Sequence, residues 1–284
     1  MRVAVLGSSG RMGAFLARYF IDKGCEVRGA DPHGARRGRA GGLRSFRTNS
    51  EAARGCDFVV LAVPMGRTLE VAREVVPALE PGSTLVEISS VKGETLGELR
   101  RMVGRRASLL SVHPLFGPAL KSERAMKVAV IVSKRGGEEE AARRLFPEAR
   151  IIPMTRREHD KAMGVVLSLT HLVNLAYAGA VARLLSPKEF MKVSTPNSSM
   201  QLTLAQAVLA QDAELSYEIQ ANNPYSREAG RAAVREIERV MGLVEAGDRK
   251  GFEEGFAKLA REYKVDERAG AVVKEIYSAA EDAG

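Results

Sequence analysis

Val3-Ala4-Val5-Leu6-Gly7-Ser8-Ser9-Gly10-Arg11-Met12-Gly13 opens the chain, and the helix-compatible stretch Ala14 to Lys23 follows without a break. Val3 to Leu6 suit a buried parallel strand. The glycines suit a tight turn with outward-pointing amides, and the helix N-terminus behind them offers a partial positive charge to an anion. This order prepares a chain to hold a pyrophosphate, so Gly7, Ser8, Ser9, Gly10, Arg11, Met12 and Gly13 are the expected cofactor-binding residues of the turn. A second strand, Glu26 to Ala30, ends at Asp31, placed to accept hydrogen bonds from a ribose diol. The spacing departs from G-x-G-x-x-G, because Ser8 stands where the first glycine of that pattern would be and Gly7 precedes it by one. The succession of strand, turn, helix, strand and acid within about thirty residues, as a βαβ unit requires, therefore carries the reading.

The alternation continues outward from this unit. Asp57 to Val63, Thr84 to Ser89, Ser108 to Val112, Lys127 to Ser133 and Arg150 to Pro153 read as strands, with helices at Gly66 to Leu79, Glu94 to Val103 and Glu138 to Phe146. From Thr155 the pattern changes to long helices, roughly Arg156 to Leu185, Met200 to Gln220, Ser226 to Ala246 and Lys250 to Glu262, with a last one near the C-terminus. The expected architecture is α/β: a Rossmann-type, doubly wound and mainly parallel sheet over residues 1–153, followed by an all-α helical domain over residues 154–284.

Composition narrows the class. The 284 residues suffice for two domains with a substantial core, and 45% hydrophobic with 27% charged residues is an ordinary globular balance. The net charge of +8 is spread through acid-interleaved stretches such as Arg235-Glu236 and Glu238-Arg239, which read as solvated helix surface. Arg36, Arg37, Arg39, Arg44 and Arg47 form the one basic cluster and could draw in an anionic cofactor or substrate. With no Trp and 5% aromatics there is little material for stacking platforms, so no nucleic-acid partner is expected. Two cysteines, Cys25 and Cys56, give no disulfide framework, and no signal-peptide core precedes Arg11, which fits a reduced cytoplasmic protein. Ala162 to Leu185 is long enough and apolar enough to raise the question of a membrane span. Ser168, His171 and Asn174 near its middle favour a buried helix of a soluble domain or dimer, with no membrane association.

A doubly wound sheet binds ligands beyond the carboxyl ends of its strands, and two polar groups fall there: Ser89-Ser90-Val91-Lys92-Gly93 and Ser111-Val112-His113-Pro114-Leu115-Phe116-Gly117-Pro118. The chain holds four histidines, His33, His113, His159 and His171. His113, followed by rigid Pro114, suits a base that must be held still, or else simply ends a strand. Ser168, His171 and Asn174, spaced by three, form one polar stripe on an apolar helix, whose partners are a ligand, a water network or a neighbouring helix. The histidine spacings and the lack of a thiol or carboxylate cluster point to no metal site.

In combination these segments resemble the prephenate dehydrogenase family of tyrosine biosynthesis. The resemblance is carried by Gly7 to Gly13, Ser90-Val91-Lys92, His113 to Pro118, Glu158-His159-Asp160, Thr170-His171-Leu172, Gln211 to Leu215 and Ile219 to Pro224. It implies an NAD-dependent enzyme, with NADP as the other possible cofactor, that oxidatively decarboxylates prephenate to 4-hydroxyphenylpyruvate, and a homodimer built through the helical domains. By resemblance, His113 and Ser90 are catalytic, His113 taking the proton of the ring hydroxyl and Ser90 orienting it. His171, with Ser168 and Asn174 beside it, belongs to substrate binding. No added chorismate mutase or regulatory domain is expected.

One position departs from the family. Well-studied bacterial members carry a substrate-clamping arginine where this chain has Ser199, so another cation, such as Lys121, Lys127 or Arg183, or a residue of a dimer partner, is needed for the substrate's charge. Alternatively the substrate is arogenate. A β-hydroxyacid dehydrogenase is disfavoured because no lysine occurs from Ala162 through Pro187. A non-catalytic nucleotide-sensing protein is disfavoured by the joint presence of Ser90, His113 and His171.

Overall fold

The computed structural model describes residues 1–32, 41–120, 122–134 and 136–264, and five further residues between 270 and 277. His33, Arg36, Arg37, Arg39, Lys121, most of the expected last helix and the chain beyond it lie outside the described residues. Among the described residues eight strands form one sheet: β1 (Arg2–Leu6), β2 (Glu26–Ala30), β3 (Leu43–Phe46), β4 (Phe58–Leu61), β5 (Thr84–Glu87), β6 (Ser108–Pro114), β7 (Lys127–Ile131) and β8 (Arg150–Met154). Their order is β3-β2-β1-β4-β5-β6-β7-β8. Pairing is parallel except between β6 and β7, where His113 lies opposite Ala129. The expected doubly wound, mainly parallel sheet is present, and the order reverses between β1 and β4, where this architecture opens its ligand crevice.

Both faces of β1 are covered, which is why Val3 to Leu6 is apolar without alternation. Val3 and Val5 pack with Leu16 and Phe20 of α1 (Arg11–Asp22) and with Ala142 and Leu145 of α5 (Glu138–Leu145). Ala4 and Leu6 point the other way, into a second cluster with Ala52 of α2 (Asn49–Ala53), Val71 and Val75 of α3 (Thr68–Val75), and Leu99 of α4 (Thr95–Val103). Each such fully buried Leu, Val or Phe contributes about 1.5–3 kcal/mol. Sequence reading missed β3 and α2. Strand β3 is an edge strand whose residues are exposed or half-buried, so it lacks the apolar run that marks the inner strands.

The helical part departs from expectation in three ways. The stretch from Arg156 is α6 (Arg156–Met163), a π-helical turn over Gly164–Leu169, and then α7 (Thr170–Leu184). Gly164 marks the irregularity, because a Cβ there would lie 2.8 Å from the Tyr225 Cβ. Met200 to Gln220 is not one helix. Capping boxes start α8 (Pro187–Val193) at Ser186 and α9 (Pro196–Leu209) at Thr195, and the chain turns over residues 210–212 before α10 (Ala213–Asn222). No glycine or proline marks that turn, and helix-compatible residues on both sides hide it. Finally, the apolar helix, expected to be buried in a soluble domain or a dimer, is not covered within the single chain: Val166 is 64% and Leu184 85% exposed. By length and composition it could cross a membrane, but its polar stripe is buried.

The chain forms two compact units, residues 1–167 with 213–226, and residues 168–212 with 227–284. The strands do end near Pro153, yet the first unit runs beyond that boundary. The reason is polar: side chains of α6 and of the segment after α10 are hydrogen-bonded into the sheet unit, as described below. The second unit also holds α11 (Ser226–Glu245) and α12 (Arg249–Glu262), whose first turn is capped by Asp248.

Candidate active site

The glycine turn has the form a nucleotide requires. Gly7 has φ +85°, and a Cβ there would lie 2.4 Å from the Ala62 carbonyl oxygen; one on Gly13 would lie 2.1 Å from the Gly7 oxygen. Only glycine lets α1 start this close to β1 and β4. No side chain caps α1 and its first turn holds no acid, which leaves its first amides open to an anion. A cavity of about 640 Å³ opens here, lined by Gly7, Ser9, Gly10, Asp31, Asn49 and Arg67 among others. The Ser9 amide donates to Asp31 Oδ2 at 3.1 Å, which holds that carboxylate at the mouth of the turn. These features fit a dinucleotide: amides for the pyrophosphate and a carboxylate for a ribose diol. Of the other turn residues, Ser8 is buried with its Oγ toward Gly29, Met12 packs on the core and Arg11 is exposed. In the basic cluster, Arg44 lies over the Phe46 ring at 5.1 Å and Arg47 is exposed.

Farther along the same carboxyl edge, the ends of β5 and β6 carry a buried polar network. Lys92 Nζ donates to Glu87 Oε2 at 2.9 Å and to the Val112 carbonyl at 2.7 Å. Ser111 Oγ donates to the same Glu87 oxygen at 2.7 Å, and the Ser89 amide donates to the other. Burial lowers the Lys92 ammonium from its ordinary pKa, and the adjacent Glu87 carboxylate opposes that shift. Ser90, half-buried, stands two residues before Lys92 on the loop after β5.

His113 ends this arrangement on β6 and is buried. Its Nδ1 lies 3.1 Å from His159 Nε2, and His159 Nδ1 lies 2.9 Å from Asp160 Oδ1. Asp160 also accepts from the backbone amides of Lys92 and Gly93, each at 3.1 Å, and its carbonyl accepts from Asn223 Nδ2 at 2.8 Å. The capping box of Thr155 and Glu158 starts α6 and delivers His159 and Asp160 on its first turns. Burial, then the Lys92 charge and His159, hold His113 well below the ordinary histidine range. Burial also lowers His159, against the pull of its bond to Asp160. Burial would raise Asp160, but the hydrogen bonds it accepts from His159 and the two amides bring it below the usual aspartate value. The site thus combines a neutral histidine pair with a retained carboxylate.

In the helical unit, Ser168, His171 and Asn174 are all buried, so the expected stripe exists. Asn174 is committed within that unit, donating to the Thr170 carbonyl at 2.8 Å and accepting from Gln201 Nε2 at 3.1 Å. Burial lowers the His171 imidazole from its ordinary pKa. Ser199 Oγ donates to Ser194 Oγ at 2.9 Å, and Lys127 and Arg183 are exposed. Sequence reading gave no role to Glu87, His159 or Asp160. A His-Asp pair directly after a Thr-x-x-Glu helix start was the available signal for the last two.

The fold and the cavity define a Rossmann-type nucleotide-binding protein extended by a helical region. The chain belongs to the prephenate dehydrogenase family: the family's nucleotide-binding domain matches residues 13–130 and its dimerization domain matches residues 155–258. A probable arogenate/prephenate dehydrogenase of Methanocaldococcus jannaschii is 25% identical over 280 residues, 95% of this chain, which spans 63% of that relative's length. A 4-amino-4-deoxyprephenate dehydrogenase of Streptomyces pristinaespiralis is 29% identical, covering 91% of this chain and 90% of that protein. Among solved structures, the prephenate dehydrogenase of A. aeolicus in complex with hydroxyphenyl propionate and NAD+ superposes with a TM-score of 0.77. It shares 18% identity, over 94% of this chain and 98% of that one, a likeness of fold.

Proposed function

We propose that the chain is an NAD(P)-dependent dehydrogenase that oxidises and decarboxylates prephenate to 4-hydroxyphenylpyruvate, with His113 as base. The observation that carries this reading is a histidine buried at the carboxyl end of β6, where burial holds it well below the ordinary histidine range, on the sheet edge that also bears the nucleotide cleft. Gly7, Ser9, Gly10 and Asp31 would hold the cofactor, which when bound supplies a hydride acceptor. His113 takes the ring-hydroxyl proton as hydride leaves the alcohol carbon. Loss of carbon dioxide then sends its bonding electrons into the ring, and His113 returns the proton to the resulting phenolate oxygen. No net proton is released, and aromatisation drives the reaction forward. A neutral imidazole is the competent form, which is the form burial favours here.

Arogenate is the second reading, favoured by Ser199 at the position where the family resemblance calls for an arginine. An amino-acid side chain carries a positive charge of its own and so asks less of the protein. Purified protein with prephenate, arogenate or 4-amino-4-deoxyprephenate, each with NAD or NADP, is assayed by the absorbance of reduced nicotinamide. Turnover of prephenate well above the other two supports the first reading, turnover of arogenate the second, and reduction with none of them overturns both.

We further propose a homodimer through the helical region. Val234, Ile237, Met241 and Val244 of α11 recur at helical spacing and are 52–65% exposed in the single chain, an apolar face that calls for cover. Light scattering should give twice the chain mass at micromolar concentration; a monomer mass would refute it.

A further inference from the structure

The His113–His159–Asp160 line has a direction, because its far end is fixed. Asp160 holds a carboxylate that accepts from two backbone amides, so toward His159 Nδ1 it can only accept, and His159 carries its proton on Nδ1. His159 Nε2 is then a lone pair, and the only proton that can fill the 3.1 Å gap to His113 Nδ1 belongs to His113. His113 is left with Nε2 bare. The two ring planes stand at 70° with centroids 5.2 Å apart, and the contact between them runs nitrogen to nitrogen.

We infer that His159 and Asp160 are positioning residues that lock His113 in its Nδ1–H tautomer, presenting Nε2 as the proton acceptor of the reaction. The inference rests on the proposed role of His113 as base. Without the lock, a neutral imidazole that carried its proton on Nε2 would offer a donor where the substrate hydroxyl needs an acceptor. Asp160 has a second effect: by accepting from the Lys92 and Gly93 amides it holds the loop that bears Ser90 to the same helix that orients His113. The charged and titratable groups around the line are Lys92 and Glu87 from the β5 end, and they form a closed ion pair of their own. Among the described residues no buried side-chain nitrogen or oxygen lacks a partner, so the network is satisfied as drawn.

The test separates tautomer from activity. In protein carrying 15N-labelled histidine, the ring-nitrogen shifts of His113, assigned by difference against His113→Asn, should report a protonated Nδ1 and a bare Nε2. His159→Leu removes the acceptor and should give mixed or reversed protonation at His113, with kcat down about a hundredfold and KM and nucleotide affinity unchanged. His159→Gln, whose side-chain oxygen can accept from Nδ1–H, should restore the tautomer and most of the lost rate. If His159→Leu fails to fold, the shifts of the parent protein and of His159→Gln still decide. A parent His113 with its proton on Nε2, in an enzyme that turns over, overturns the inference and leaves the proposed function standing. The expected tautomer in a protein that oxidises none of the substrates supports the lock and refutes the function.

Discussion

Lys92 Nζ and Glu87 Oε2 stand 2.9 Å apart with both side chains shut away from solvent, and the same ammonium holds the carbonyl of Val112, the residue before His113. A buried ion pair of this kind is costly to assemble and costlier to break, because the survivor is left as an uncompensated charge.

Lys92→Met should therefore lower the unfolding free energy by about 3–5 kcal/mol, measured by denaturant titration, whereas Lys92→Met combined with Glu87→Leu should lose less than the single change. The double variant should still show a reduced kcat, since the brace on Val112 is gone. A single variant as stable as the parent would refute this account of the pair.

His113→Asn should keep nucleotide affinity and lower kcat by roughly 10²- to 10⁴-fold, the range for losing acid–base help. Near-normal turnover would move the base elsewhere.

Acid should weaken both rate and fold, with signs that follow from the depressed histidines. Burial holds His113, His159 and His171 below the ordinary histidine value of about 6.5 in the folded chain, so below that value the unfolded chain binds more protons than the folded one. Stability is then fully present above 6.5 and is lost as pH falls toward the folded values. The base stays neutral until its own depressed pKa is reached, so kcat should hold its plateau below pH 6.5 and fall only beneath it. Urea midpoints and kcat followed across pH 4.5 to 8 check both; a kcat that halves near 6.5 would show that His113 is not held neutral in the active enzyme.

NAD should be preferred to NADP, because Asp31 sits at the cleft and repels a 2′-phosphate. Asp31→Ser should cut the ratio of kcat/KM values about tenfold or more. A parent enzyme that prefers NADP would show that the arginines after β2 outweigh the carboxylate.

The sequence disclosed most where burial on both faces leaves a continuous signal. Val3 to Leu6, Phe58 to Leu61 and Val128 to Ile131 read as strands because nothing polar interrupts them, and Gly7 and Gly13 stood out because the backbone needs them. Edge strand β3 and the turn between α9 and α10 were not legible. One buries too little to be patterned, and the other interrupts similar residues on both sides. At the site, His113 and Ser90 could be found at strand ends. The partnership of His113 with His159 and Asp160 joins residues 46 or more positions apart through a helix start, and only the folded chain brings them together.

The polar stripe of α7 divides into two kinds of residue, and this gives the last prediction. Asn174 spends its amide on Thr170 and Gln201, tying α7 to α9, so Asn174→Ala should cost stability and leave KM unchanged. His171 is buried on the same helix face, where burial lowers its imidazole from the ordinary value, and in the proposed reading it meets a substrate carboxylate that would be expensive to bury unpaired. Ser199, hydrogen-bonded to Ser194, supplies no charge for that carboxylate, so His171 should carry more of the binding here than in family members with the arginine. Loss of a hydrogen bond to a charged group corresponds to roughly ten- to a hundredfold in affinity. His171→Ala should raise KM for prephenate by that amount with nucleotide affinity unchanged, and Ser199→Arg added to it should recover part of the loss. If His171→Ala and Asn174→Ala behave alike, costing stability with KM intact for prephenate and arogenate, the stripe is internal packing and the acid-binding groups lie on other residues.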